Sequence, residues 1–293
     1  MHRDASAVAA KSGEVFARVV ARIEAETGLD RLAKPLSEAV ARVVPAGGFK
    51  DVVSGTWLGH PLHPMLTDLP IGFWTSAFTL DLLGGHAARP AATRLVGWGV
   101  ATAVPTALAG ASDWSDTTGA ARRVGLVHAV ANTTATICYG ASWWERRRGR
   151  HTRGVVLALL GATAATVGGY LGGHLLQTRG IGVDNTAFDA PPSDWTGVLA
   201  ESELTEAPRE VAVDGTGIIV FRTRDGVVAL GAHCPHRGAP MSEGTLDADS
   251  ITCPWHGSRF HLPDGALLRG PSAAPLPSYE CRLHDGVLEV RSR

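Results

Sequence analysis

Cys234, His236, Cys253 and His256 are the residues of this chain best equipped to do chemistry. They occupy two short runs, Cys234-Pro235-His236-Arg237-Gly238 and Cys253-Pro254-Trp255-His256-Gly257-Ser258. The pattern is C-x-H, a 16-residue spacer, then C-x-x-H. Two thiolates and two imidazoles from two loops suit a [2Fe–2S] cluster of mixed ligation, with the thiolates on one iron and neutral imidazoles on the other. Imidazole leaves its iron more electron-poor than a thiolate would, which raises the reduction potential. The competing chemistry is a tetrahedral zinc site with the same donors. Zinc knuckles usually pair C-x-x-C with two histidines, whereas here each loop mixes one Cys with one His.

The elements that would hold these loops are strands. Gly238 and Gly257 follow the histidines, where a tight loop needs backbone freedom. Gly217-Ile218-Ile219-Val220-Phe221 and Gly226-Val227-Val228-Ala229-Leu230 read as strands joined by Arg224-Asp225-Gly226, a hairpin signal. Phe260 to Leu262, Tyr279 to Arg282 and Gly286 to Val290 read as further short strands. The two loops and this setting resemble the Rieske [2Fe–2S] domain, over residues 195–293. The resemblance implies Cys234, His236, Cys253 and His256 as the four ligands, with both histidines at the exposed edge. It also implies that Gly270-Pro271-Ser272 is the proline loop over the cluster.

The high-potential type of this domain carries a second Cys in each loop, and the two form a disulfide. Ala239 and Trp255 stand at those positions here, and only Cys138 and Cys281 remain besides the two ligands. The pattern is therefore similar to the ferredoxin and oxygenase types. Ser258 matches the residue whose hydroxyl bonds a bridging sulfide in the high-potential type, whereas Phe260 replaces its companion Tyr. One donor of two implies a low-to-intermediate potential within a range of roughly −150 to +300 mV.

A Rieske domain accounts for a third of the 293 residues, so a second domain is expected. The net charge of −1 implies no nucleic-acid partner. Residues 64–174 are poor in Lys and Glu and hold four apolar windows, Pro64–Leu83, Pro90–Ala111, Gly125–Trp144 and Gly154–Leu175. Each is near the roughly 20 residues that span a bilayer. Trp98, Trp114, Trp143 and Trp144 suit an aromatic belt, and the many glycines suit close helix contact. Asp68 and Asp81 in the first window weigh the other way, towards a soluble four-helix bundle.

The phrase Gly59-His60-Pro61-Leu62-His63-Pro64, followed by Asp68-Leu69-Pro70-Ile71-Gly72, resembles the opening of a bacterial family of four-helix membrane domains of unknown function. Asp113-Trp114 and His128 extend the match over residues 45–176. Four crossings would return His60, His63, His128 and His174 to one membrane surface, the side on which the Rieske domain emerges, with His86 on the other. Histidines at such a boundary are candidates for haem b, another metal or a quinone, with Asp68 or Asp113 as second partners. The bland alternative is interfacial histidines bonded to backbone or water.

The expected organisation is an amphipathic helical region at 1–50, a four-helix transmembrane domain at 51–176, a linker at 177–194 and an all-β Rieske domain at 195–293. Val15, Val19, Val20 and Ile23 mark one amphipathic helix; Leu36, Ala39, Val40 and Val43 mark a second, with Pro35 at its start. Residues 1–30 lack the apolar core of a signal peptide. Arg146, Arg147, Arg148, Arg150 and Arg153, with Arg89 and Arg94, outnumber Lys50, Arg122, Arg123 and Arg179. The positive-inside rule then favours an outward-facing Rieske domain in a multi-pass protein of the bacterial membrane. Cluster assembly in the cytoplasm argues for the opposite face.

The leading functional expectation is membrane-bound one-electron transfer, between a redox partner protein or quinone and a second site in the bundle. A redox sensor or regulator without turnover is the alternative. An oxygenase would need a 2-His-1-carboxylate iron, for which His60, His63 and Asp68 are the only visible source.

Overall fold

The computed structural model describes residues 2–293, with side chains from Glu14 onward. The expected region 1–50 therefore includes one residue and a short run of side chains outside the described residues. The chain forms two compact units. A helical unit combines residues up to Val43 with His63–Arg179, and a β-rich unit combines Val44–Leu62 with Gly180–Arg293.

The helical unit contains α1 (His2–Ala25), α2 (Asp30–Val43), α4 (Leu62–Leu83), α5 (Gly85–Ser115), α6 (Gly119–Arg147) and α7 (His151–Gln177). The short α3 (Gly48–Ser54) belongs to the other unit. All four apolar windows are helical. Among the described residues, two of the helices, α5 and α7, are long and apolar enough to cross a membrane. The other two helices carry more polar groups: Asp68 and Asp81 in α4, and Arg122, Arg123 and Asn132 in α6.

Large rings in this unit sit against small neighbours. Trp74 stacks on Tyr139 at 4.0 Å, and a Cβ at Gly99 would collide with the Trp74 indole. Asp81, which counted against the first window, pairs with Arg146 of α6 through two hydrogen bonds of 2.8 and 2.5 Å. The side chains are 7% and 0% exposed, so the two charges enter the unit as a neutralised pair.

The N-terminal helices differ from expectation in detail. Val20 and Ile23 of α1 pack with Val124 and Leu171, whereas Val15 and Val19 are exposed. In α2 the buried residues are Ala33 and Ser37, and Leu36 and Val43 face outward. A small i, i+4 pair lets this helix approach its neighbours closely. Pro35 lies inside α2 rather than at its start, since the helix already begins at Asp30.

The β-rich unit has ten strands in three antiparallel sheets. One sheet is β1 (Thr196–Ala200), β10 (Val287–Ser292) and β9 (Tyr279–His284). The second is β2 (Arg209–Val213), β3 (Thr216–Thr223) and β4 (Gly226–Gly231). The third runs β5 (Thr245–Leu246), β6 (Ser250–Thr252), β7 (Arg259–His261) and β8 (Leu267–Arg269). Strand β3 is apolar on both faces, which places it between two cores. Ile218 and Val220 join Leu199, Leu288 and Val290, while Ile219 and Phe221 join Met241, Ile251 and Phe260. Cys234 and Cys253 lie in the second core.

The expected β3–β4 hairpin is present, with Thr223 opposite Gly226. Two more tight hairpins turn at Asp214-Gly215 and Asp285-Gly286. Both residues of each have positive φ: 50° and 86° in the first, 49° and 75° in the second. Asp-Gly suits such turns because Asp tolerates the left-handed region and Gly has no Cβ to clash there.

Candidate metal centre

The two loops are closed by the same backbone pattern despite their different spacing. Cys234 N donates to Ala239 O at 2.9 Å and Gly238 N to Cys234 O at 2.8 Å. Cys253 N donates to Ser258 O at 2.8 Å and Gly257 N to Cys253 O at 3.2 Å. Each loop thus ends four residues after its Cys at a glycine in the left-handed region, φ 68° at Gly238 and 76° at Gly257.

This shape aims backbone N–H groups at sulfur. Those of His236 and Arg237 point at the Cys234 sulfur, and those of Trp255 and His256 at the Cys253 sulfur. The two thiols, 1% and 3% exposed as residues, also meet each other. The bond from Cys234 holds Cys253 down to about 6, and the Cys234 thiol is pushed up by that same bond and then by burial. A thiolate therefore forms readily within the pair. The imidazoles of His236 and His256 form a second pair, with centroids 5.0 Å apart and planes at 87°. Burial first, then the charges of Arg237, His256 and Lys50, hold His236 well below the usual imidazole range. It is neutral and fit to be a ligand. Sulfur beside sulfur and ring beside ring suit two irons, one per pair, better than one ion with four equivalent donors.

The loops are covered from several directions. Ser258 Oγ accepts the backbone N–H of Ser272 at 2.9 Å. Among the described residues no acceptor takes the Ser258 hydroxyl proton, which leaves that buried group one donor to give. Arg269 donates to Gly257 O at 2.8 Å. From the segment around α3, Asp51 Oδ1 accepts from Gly270 N at 3.0 Å, and Thr56 Oγ1 donates to Ser272 O at 3.4 Å. Within the stretch read as a linker, Asn185 Nδ2 donates to Pro235 O and His236 O, both at 3.0 Å, and its backbone N reaches Pro235 O at 2.9 Å. Asp51, Thr56 and Asn185 were absent from the sequence reading, and nothing in their local sequence marks them.

The bundle histidines separate. His63 of α4 and His128 of α6 come together, with ring centroids 6.3 Å apart. His174 instead donates to Glu24 at 2.9 Å, a carboxylate shared with Arg179. His60 is exposed and belongs to the β-rich unit, and Asp68 is exposed on α4. Among the described residues, no three or more His, Cys, Asp or Glu gather around one point as ligands for a single metal ion.

Comparison with known proteins agrees with the division into two parts. Residues 194–280 match the Rieske [2Fe–2S] domain family, and residues 59–185 match a predicted membrane protein family, DUF2231. Ferredoxin CarAc of Metapseudomonas resinovorans is 34% identical over 98 residues, 33% of this chain and 92% of that ferredoxin. The anthranilate 1,2-dioxygenase ferredoxin subunit of Burkholderia cepacia is 32% identical over 103 residues, 35% of this chain and 95% of that subunit. The oxygenase component of dicamba O-demethylase from Stenotrophomonas maltophilia is 40% identical over 104 residues, 33% of this chain but 30% of that protein. A Rieske domain implies a [2Fe–2S] cluster, and the paired thiols and paired imidazoles fit one. The chain belongs to the Rieske [2Fe–2S] family through its C-terminal domain, which follows a helical domain of a predicted membrane protein family.

Proposed function

We propose that this protein is a membrane-bound one-electron carrier. Cys234 and Cys253 would hold one iron of the [2Fe–2S] cluster, and His236 and His256 the other. When bound, that cluster supplies a single-electron couple. The chain's own residues keep the His236 imidazole neutral, the thiolates solvated by backbone N–H groups and the surrounding core dry. His236 and His256 are only half-buried, so an electron would pass through that edge to a redox partner protein. Two of the relatives named above are ferredoxins.

The domain division at about 51–176 and 195–293, and a helical part that spans the bilayer four times, belong to the same reading. Its support is the outer surface of all four long helices, which carries exposed Ile71 and Phe78, Trp98 and Val104, Val130 and Ile137, and Val156 and Leu160. Apolar exposure on every helix suits lipid better than water. Ion pairs sharpen the orientation argument. Arg146, Arg150, Arg123 and Arg179 each have a carboxylate partner. Arg89, Arg94, Arg147, Arg148 and Arg153 still outweigh Arg122. The loop between α6 and α7 is therefore assigned to the cytoplasm and the Rieske domain to the outer face of a bacterial membrane.

One observation carries the function: two buried thiols and two imidazoles segregated into pairs. Reduced full-length protein should give the rhombic low-temperature resonance of a Rieske centre. Cys234→Ser, Cys253→Ser, His236→Ala and His256→Ala should each abolish it. Wild-type protein that binds zinc and shows no such resonance would refute the reading.

A further inference from the structure

We infer that His63 and His128 form a bis-imidazole site for a haem iron inside the helical unit. The inference deepens the electron-carrier reading by adding a second one-electron centre, but its geometry stands apart from the cluster's.

The two rings come from different helices, α4 and α6, with centroids 6.3 Å apart and planes at 83°. Two imidazoles on opposite sides of one metal, each bonded at roughly 2.0–2.1 Å, would place their centroids about 6–6.5 Å apart. The observed spacing is that of a trans pair. Rings packed against each other with nothing between could sit closer, as His236 and His256 do at 5.0 Å.

The other two long helices fix the rings. His63 Nδ1–H donates to Thr106 O of α5 at 2.9 Å, and His128 Nδ1–H donates to Gly168 O of α7 at 2.8 Å. A carbonyl can only accept, so each bond sets the tautomer and leaves Nε2 with the lone pair. This is how outer partners orient a metal-bound histidine. Glycines cradle both rings. A Cβ at Gly110 would lie 2.6 Å from His63 Cε1, and one at Gly172 would lie 3.0 Å from His128 Cε1. Asn132 Nδ2 lies 3.2 Å from His128 Nε2 but also donates to His128 O at 3.0 Å. It can release the ring and keep a partner.

The donor count selects the ligand class. Among the described residues no third His, Cys, Asp or Glu joins the pair. A bare ion would be left with two protein ligands, too few for a stable site. A metal that brings its own four equatorial nitrogens needs only the two axial imidazoles, and haem is that ligand.

The test uses full-length protein in lipid nanodiscs, from cells supplied with a haem precursor. Wild type should carry haem stoichiometrically, with a Soret band and a low-spin ferric resonance whose strong anisotropy reflects perpendicular axial rings. His63→Ala and His128→Ala should each bring haem content close to zero, while the Rieske resonance in the same samples reports that the protein is folded. His174→Ala should keep its haem, because that ring is committed to Glu24. Should either alanine variant lose both signals, haemin titration of His63→Met and His128→Met replaces it, with weakened or lost binding expected. Wild type that holds no haem and takes up none on titration with haemin would make the pair an interhelical tether and overturn the inference. Haem retained in both variants would overturn it as well. Loss of the Rieske signal beside an intact Soret band would sink the iron–sulfur reading and leave this one standing.

Discussion

Ser258→Ala separates two roles of one hydroxyl. The residue is 0% exposed, and its Oγ accepts from the backbone N–H of Ser272, itself 1% exposed, at 2.9 Å. Alanine fills nearly the same volume, so the main structural cost is a buried N–H left without an acceptor, about 1–3 kcal/mol. At roughly 4 °C per kcal/mol for a domain of this size, the unfolding midpoint of the β-rich unit should fall by about 4–12 °C. The hydroxyl proton is free to donate to cluster sulfur, a bond that strengthens as the cluster gains negative charge. A hydrogen bond to a charged group exceeds one to a neutral group by about 1–1.5 kcal/mol. At 59 mV per 1.4 kcal/mol for one electron, the reduction midpoint should drop by about 40–60 mV. The assay is a thermal melt of full-length protein paired with a redox titration followed by its Rieske resonance. A destabilised variant at unchanged potential would confine Ser258 to holding the Ser272 loop. An unchanged melt would refute the reasoning about the orphaned amide.

Arg146→Met should cost about 3–5 kcal/mol by stranding buried Asp81, and adding Asp81→Leu should recover most of it; melts in nanodiscs that show simple additivity would contradict the pair. Asn185→Ala removes two side-chain bonds to the His236 loop at an exposed position, worth about 1 kcal/mol, so amide exchange at residues 234–238 should quicken. Unchanged protection there would refute the clamp. The Glu24 carboxyl is held below its usual range, chiefly by the Arg179 guanidinium and then by His174. Its contribution is therefore complete above the ordinary carboxylate pKa of about 4.3 and is lost as pH falls through the lower folded value. The stability gap between wild type and Glu24→Gln should be flat at neutral pH and close below about pH 4, and a gap that widens on acidification would reverse the assignment. Reporters fused after Gly149 and after Arg293 should report opposite compartments, because α7 lies between them, and identical compartments would refute the membrane topology.

The cluster loops were legible because Cys and His are costly residues to place together without a use, and their spacing is local. The hairpin at Arg224-Asp225 was read, yet Asp214-Gly215 and Asp285-Gly286 carry an equally direct turn signal and passed unused. What sequence could not display was pairing across distance. Asp81 and Arg146, 65 positions apart, read separately as a flaw in an apolar window and a loop cation, and only together as a neutral pair. Four histidines assigned to one membrane surface became one facing pair and one ion-paired residue, with His60 in the other unit. Helix crossings give a depth in the membrane, while the side a ring faces depends on the helix's rotation. Hydropathy alone underrates α4 and α6, because Asp81 and Arg146, which pair in the fold, count as unpaired charges along the sequence.

Asp51, Thr56 and Asn185 alter how the cluster site should be understood. All three fall outside the matched segment 194–280, yet each bonds backbone that covers the site. Asp51 and Thr56 hold Gly270 and Ser272 from the stretch that enters the helical domain, and Asn185 holds Pro235 and His236 from the stretch that leaves it. Both connections are therefore part of the cluster's enclosure. Asp51 and Thr56 bond the Gly270 amide and the Ser272 carbonyl, next to the Ser272 amide that meets Ser258, and Asn185 bonds the carbonyl of His236. Those are the points at which hydrogen bonding and ring position set a potential. The β-rich unit thus extends beyond its matched segment: Val44–Leu62 and the stretch from Gly180 supply side chains that hold the loops over its iron–sulfur site.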